Sequence, residues 1–180
     1  CGKHGVLFHC DATQAIGKIG LDVRKCNIDL LSFSGHKMYA PKGVGALFVR
    51  SGKPRVRLKP QTHGGGQERG LRPGTLPVPL IAALGKAAEL SRSNHLQRKI
   101  ICSQIKAEAI RALDPLKPKY IGDPQFAMEH VLNLSIGDLD SEALMLSLKE
   151  LISISNGSAC TSNSYNPSHV LKAMGLSDEE

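Results

Sequence analysis

Two short apolar runs, each closed by polar side chains, set the strongest limit on what this chain can fold into. GVLFHCD (Gly5 to Asp11) ends in an acid, and IDLLSFSGHK (Ile28 to Lys37) ends in hydroxyl, imidazole and amine groups. Runs of this length fit buried strands of an α/β sheet. Functional groups then sit just past the carboxyl ends, where open sheets bind ligands. VGALFVR (Val44 to Arg50) follows a tight turn at Pro41 and Gly43, and so short a connection predicts an antiparallel neighbour rather than a crossover. The glycine-rich segment QTHGGGQERGLRPGT (Gln61 to Thr75) predicts a loop.

From Leu80 to Leu113 the residues Leu84, Ala88, Leu96, Ile100, Ile101, Ile105, Ala109 and Leu113 recur at helical spacings, which fits one long helix or two broken ones. Pro115 and Pro118 end that pattern. Beyond them, HVLNLSI (His130 to Ile136) predicts a strand. SEALMLSLKE (Ser141 to Glu150) predicts a helix capped by Asp140 or Ser141, and LISISN begins another strand. PSHVLKAMG (Pro167 to Gly175), with proline in front and glycine behind, predicts a short helix. These signals divide the chain into a mixed part at 1–90, a connecting helix at 91–114 and an α+β layer at 115–180.

Composition removes several function classes. The formal charge is +7, but the positive residues are spread, and in KPRVRLK the alternation of Arg55, Arg57 and Lys59 is that of one solvated strand face. Aromatic residues are 4% of the chain and tryptophan is absent, so stacking platforms for nucleic acid are scarce and no direct nucleic-acid binding is expected. No apolar run approaches the ~20 residues of a membrane helix, and the first residues carry no targeting pattern. The expected location is the cytoplasm, or the mitochondrion in a eukaryote. Five cysteines form no CxxC pair, which argues against a disulfide framework and a zinc knuckle. His9 and Cys10 are adjacent in a strand and point to opposite faces, so Cys1, His4, His9 and Cys10 are not expected to share a metal. HGGG at His63 to Gly66 resembles an oxyanion-hole loop, but the chain has no GxSxG. Gly65 and Gly70 have P-loop separation, yet Leu71 and Arg72 follow in place of Lys and Ser or Thr.

Three positions carry candidate chemistry. Lys37 ends a strand behind Ser34, Gly35 and His36, where one turn can present hydroxyl, imidazole and amine to a single ligand, and a buried lysine amine can be depressed enough to form a Schiff base with an aldehyde. Asp11 closes the neighbouring run, either as part of the same site or as a cap for the segment after it. Cys160 lies in SNGSACTSNS, whose small polar neighbours supply no apolar packing for an inert thiol.

DATQAIGK, SFSGHKMYAPKGVGALFVR, HGGGQERGLRPGTLPV and SNGSACTSNSYNPSHVLKAMG together resemble, in order, the motifs of the cysteine desulfurases, pyridoxal-phosphate enzymes of the IscS and NifS type in the class V aminotransferase family. The resemblance implies the PLP-dependent transferase fold type I. Residues 1–90 would be the later part of its large mixed-sheet domain, and 115–180 a small α+β domain with a mobile cysteine loop. It implies that Lys37 binds pyridoxal 5'-phosphate through a Schiff base, that Asp11 faces the pyridine nitrogen, and that Gln14 approaches the ring hydroxyl. At an effective dielectric near 20, a carboxylate about 4 Å from a pyridinium gains ~4 kcal/mol, which keeps the ring an electron sink.

It further implies that Ser34 and His36 hold the phosphate. Thr75 reaches the phosphate of a neighbouring subunit in a homodimer, and Cys160 takes sulfur from L-cysteine as a persulfide, leaving L-alanine. A sulfur-acceptor protein follows, in iron–sulfur cluster assembly, tRNA thiolation or DNA phosphorothioation. Ala40 and Pro73 depart from the family's usual Gly and Ser. Family members extend further at both ends, so the chain reads as a fragment lacking an N-terminal part and a C-terminal arginine. The alternative function is a non-catalytic sulfur-relay or assembly-partner surface.

Overall fold

The computed structural model describes residues 1–52, 56–137, 139–156 and 168–177. It divides into two compact units, residues 1–101 and 102–180.

In the first unit, β1 (His9–Asp11), β2 (Leu30–Ser34) and β3 (Gly45–Val49) form a sheet in that order. β1 runs parallel to β2, with Asp11 opposite Ser32. β3 is antiparallel to β2, as the short Pro41–Gly43 connection predicts, with Ser34 opposite Gly45. Asp29 fixes the start of this register. Its backbone N–H donates to the Phe8 carbonyl at 2.9 Å, its carbonyl accepts from Arg50 N–H at 2.8 Å, and its buried carboxylate accepts from Phe8 N–H at 2.8 Å and pairs with the Arg50 guanidinium.

Two small clusters form the core of this unit. Ala12, Ile28 and Leu31 pack with Cys10, Ala15, Leu21, Val23 and Phe33 around them. Met38, Ala40 and Ala87 form the second, against Ile16, Phe33, Val44 and Leu84. Of the two runs expected as buried strands, β2 comes nearer, with Leu31 buried and its other residues half-buried. β1 and β3 are the sheet's edges and lie largely open, with Leu47 and Phe48 of β3 exposed, as are Val6, Leu7 and Phe8 just before β1. Residues 56–60 are irregular rather than a strand, and Lys53 and Arg55 lie outside the described residues.

Helix α1 (Val78–Leu113) is continuous. Pro79 is tolerated in its first turn, no proline follows until Pro115, and a short 3-10 turn, Asp114–Leu116, closes it. The division between units falls within this helix, between Ile101 and Cys102.

In the second unit, β4 (Lys119–Tyr120) pairs antiparallel with β5 (Leu134–Ser135). Lys106 Nζ donates to the Met128 carbonyl at 3.1 Å. Helix α2 (Ser141–Leu148) is capped by Asp140, whose Oδ1 accepts from Glu142 N–H at 2.8 Å and Ala143 N–H at 3.0 Å, so of the two candidate caps the acid acts. Helix α3 (His169–Ala173) is capped by Ser168 and followed by Gly175 at φ 86°. The strand expected at LISISN is not formed at 151–156. No strand among the described residues pairs with that segment, and Leu151, Ile152 and Ile154 are exposed.

Candidate active site

The parallel pairing of β1 with β2 sends both strands out of the sheet at the same end. Asp11 is the last residue of β1, and Ala12 N–H donates to the Ser32 carbonyl at 2.8 Å, two residues before β2 ends at Ser34. The chain after Asp11 turns back at once. Ala15 and Ile16 N–H both donate to the Ala12 carbonyl, and Lys18 and Ile19 N–H both donate to the Ala15 carbonyl, giving one distorted helical stretch. Asp11 Oδ1 accepts from Thr13 N–H at 2.9 Å, so the capping role foreseen for Asp11 is present. The exposed Asp11 carboxyl is held below its usual range, first by a hydrogen bond from the Thr13 side chain and then by the Thr13 backbone N–H. It is a fixed anion at neutral pH.

After β2 the chain enters a 3-10 turn, Gly35–Met38, that presents His36 and Lys37 to solvent and tucks Met38 inward. Gly35 is required at the entry. A Cβ there would lie 2.9 Å from the Val44 carbonyl oxygen and 3.1 Å from Ala40 Cβ. Ser34 Oγ and His36 Nδ1 share a hydrogen bond of 2.7 Å, which holds hydroxyl and imidazole side by side. The turn closes on Tyr39 in the left-handed conformation, φ 65°, with its N–H donated to the Gly35 carbonyl. Arg98 of α1 lies over the exposed Tyr39 ring, 4.8 Å from its centre, a cation–π contact that ties the end of the turn to the helix. Ala40 is accommodated in place of the usual glycine, since it does not take a positive φ and its methyl group joins the Met38–Ala87 cluster.

The two loops are locked together at Gly17. It sits at φ +72°, and a Cβ there would meet Met38 Cγ and Ser91 Oγ at 2.9 Å each. The stretch after Asp11 is therefore seated against the residue that follows Lys37. This brings in Lys18, which reading the sequence missed. Lys18 Nζ donates to Gln14 Oε1 at 2.8 Å, and burial, followed by the positive charge of Lys37, holds the Lys18 ammonium below its usual range. The available signal was the spacing, since Gln14 and Lys18 are four residues apart on one turn.

Of the residues singled out from the sequence, Asp11, Gln14, Ser34, His36 and Lys37 lie at or just past this one end of the sheet. Thr75 does not join them through any hydrogen bond among the described residues. It is exposed at the exit of the glycine-rich loop, where Gln67 Oε1 accepts from Gly74 N–H at 3.2 Å and Arg72 donates to the Pro73 carbonyl at 3.0 Å. Cys160 lies outside the described residues. No group of three or more His, Cys, Asp or Glu side chains among the described residues is arranged to hold a metal ion.

The parallel strands β1 and β2 thus deliver a carboxylate and a Ser–His–Lys turn to one end of the sheet. The chain belongs to the aminotransferase class-V family, which it matches over residues 1–177. It is similar to the cysteine desulfurase IscS of Pectobacterium atrosepticum, 43% identical over 180 residues, which is 99% of this chain and 44% of that protein. It is 46% identical to the cysteine desulfurase IscS of Methylococcus capsulatus, again over 44% of that protein. Among solved structures it is similar to DndA from Streptomyces lividans (41% identity, TM-score 0.80, 97% of this chain and 49% of that one). It is also similar to a NifS-like protein from Rickettsia africae (26% identity, TM-score 0.86, 99% and 47%). The fold is that of the pyridoxal-phosphate-dependent transferases of fold type I. The chain spans less than half the length of the curated relatives it matches.

Proposed function

We propose that the protein is a cysteine desulfurase, which converts L-cysteine to L-alanine and retains the sulfur as a persulfide on Cys160. The observation that supports it best is the delivery of Asp11 and of Ser34, His36 and Lys37 to one end of a parallel strand pair. The donor set fits pyridoxal 5'-phosphate. Asp11 offers a fixed negative charge to a pyridinium nitrogen, and Gln14 offers an amide to the ring hydroxyl. Ser34 and His36, already hydrogen-bonded together, offer neighbouring polar atoms to phosphate oxygens. Lys37, exposed on its 3-10 turn, offers an amine to the aldehyde. Thr75, on its separate loop, serves the partner's phosphate in a homodimer. The bound cofactor supplies an electron sink for the bonds around the substrate's Cα.

Cys160 supplies the nucleophile. The reaction needs no outside oxidant, since L-cysteine and the Cys160 thiol give L-alanine and a Cys160 persulfide with every hydrogen accounted for. A free thiol titrates near pH 8.5, so at neutral pH only a few per cent is thiolate, and reaction through Cys160 gains from a nearby base or cation. The persulfide then passes to a sulfur-acceptor protein, serving iron–sulfur cluster assembly, tRNA thiolation or DNA phosphorothioation in the cytoplasm. No helix among the described residues is long and apolar enough to cross a membrane.

Borohydride reduction in the presence of pyridoxal phosphate, followed by peptide mass spectrometry, tests the cofactor site. Cofactor trapped on Lys37 supports it, and no trapping, or trapping undiminished elsewhere in Lys37→Ala, overturns it. Sulfide release from L-cysteine that is undiminished in Cys160→Ser overturns the thiol's role. Acceptor binding without cofactor uptake points instead to the non-catalytic relay.

A further inference from the structure

Beside the residues proposed to meet the cofactor at this end of the sheet stands another, Lys18, that touches one of them and has no part in the scheme above. An ammonium has three donors and no acceptor, so the Gln14 atom that faces Lys18 Nζ at 2.8 Å can only be the amide oxygen. The reverse orientation sets an NH2 group against an NH3 group, donor against donor. The orientation of the Gln14 amide, ordinarily ambiguous, is thus dictated by its neighbour's chemistry. With Oε1 engaged, Nε2 is left turned out of the pair, and it makes no hydrogen bond among the described residues. Lys18 is itself held in place. Gly17 before it is wedged against Met38 and Ser91, the backbone hydrogen bonds between residues 12 and 19 set its spacing from Gln14, and its side chain is half-buried.

The geometry points to Lys18 as a positioning residue, which fixes the Gln14 amide so that its N–H group, rather than its oxygen, is presented to the ring oxygen of the cofactor. This rests on the pyridoxal-phosphate reading of the site. An N–H donated to that oxygen stabilises its negative charge and loosens its hold on a neighbouring proton. An amide free to turn presents its own oxygen part of the time, and the stabilisation falls.

The test is a pH titration of the absorbance of the bound cofactor in the loaded protein, with covalent attachment at Lys37 as the check that each variant is folded and filled. Lys18→Met is expected to raise the midpoint by the equivalent of about three- to tenfold in proton affinity, the size of one weakened hydrogen bond to a charged atom. Lys18→Arg, which donates to the same oxygen, is expected to restore the midpoint to within about twofold. In a Gln14→Met background, Lys18→Met is expected to add no further shift. Attachment at Lys37 with an unchanged midpoint in Lys18→Met overturns the positioning role alone. So does a shift of equal size in the Gln14→Met background, which assigns the effect to the lysine's charge acting directly. Absence of attachment in the unaltered protein overturns the cofactor reading, and this role with it.

Discussion

Gly17→Ala isolates the contact that seats the loop after Asp11 against the lysine turn. Two costs combine at that position. An alanine at φ +72° pays for the left-handed conformation, ~1–2 kcal/mol. Its methyl group also arrives 2.9 Å from Met38 Cγ, 2.9 Å from Ser91 Oγ and 3.1 Å from Ser91 Cβ. Met38 and Ser91 are 3% and 4% exposed, so neither can move aside into solvent, and overpacking of this kind costs ~1–3 kcal/mol. The loss of chain entropy in the unfolded state returns ~0.4–1 kcal/mol. The net expectation is a destabilisation of ~1–5 kcal/mol, set against the ~5–15 kcal/mol that holds an ordinary domain together. Two other glycines separate the terms. Gly5 has φ +65° with nothing within 4 Å of an added Cβ, so Gly5→Ala reads the backbone cost alone. Gly20 has neither feature, and Gly20→Ala is expected to stay within about 0.5 kcal/mol of the parent. Urea unfolding of the three variants, compared at equal slope, measures each term. A Gly17→Ala loss no larger than that of Gly5→Ala would refute the claim that Gly17 is wedged between Met38 and Ser91.

Three further outcomes follow from other parts of the molecule. Asp29→Ala strips the Arg50 guanidinium and the Phe8 N–H of a shared buried acceptor, and is expected to cost ~2–4 kcal/mol in chemical unfolding, whereas Asp29→Ala in an Arg50→Met background is expected to cost clearly less. Asp140→Ala removes the cap of α2 and is expected to cost ~1 kcal/mol, with Asp140→Asn close to the parent, read by thermal unfolding. The Asp11 carboxyl is expected to titrate below the ordinary 3.8 in carbon-detected NMR, and Thr13→Val to move it upward, since the Thr13 side chain is the main cause of the depression. A depressed carboxyl favours the folded state above its unfolded-state value. That contribution is complete at neutral pH and is lost only as pH falls below about 4 through the folded value.

The parts of the fold legible in the sequence are those fixed by local chemistry. Apolar runs ending at Asp11 and at Ser34–Lys37 became parallel neighbours with their polar groups at one end of the sheet, and the Pro41–Gly43 turn reversed the next strand. Pro115 marked the end of α1, although the stretch between Ala88 and Leu96, rich in polar residues, hid the fact that one helix runs through it. The misses are cases where a partner decides. Residues 151–156 have strand-like composition, but a strand exists only when another backbone pairs with it, and none among the described residues does. Lys18 reads as one surface charge among 23 lysines and arginines, so its meaning had to come from a hydrogen bond. Asp11 was read either as a cap or as a site residue. Its Oδ1 accepts from Thr13 N–H, which is the capping contact, and that bond adds to the larger lowering by the Thr13 side chain.

The open flanks of β1 and β3 bear on how this chain behaves in a tube. β3 is a short antiparallel edge whose Leu47 is 50% exposed and whose outer backbone groups meet no strand among the described residues. Such an edge is a template for pairing with a second molecule. When the chain is made alone, its failure at high concentration is expected to be sheet-to-sheet association with the fold still intact, so precipitation should respond to a charge placed on that strand more than to cooling or added ligand.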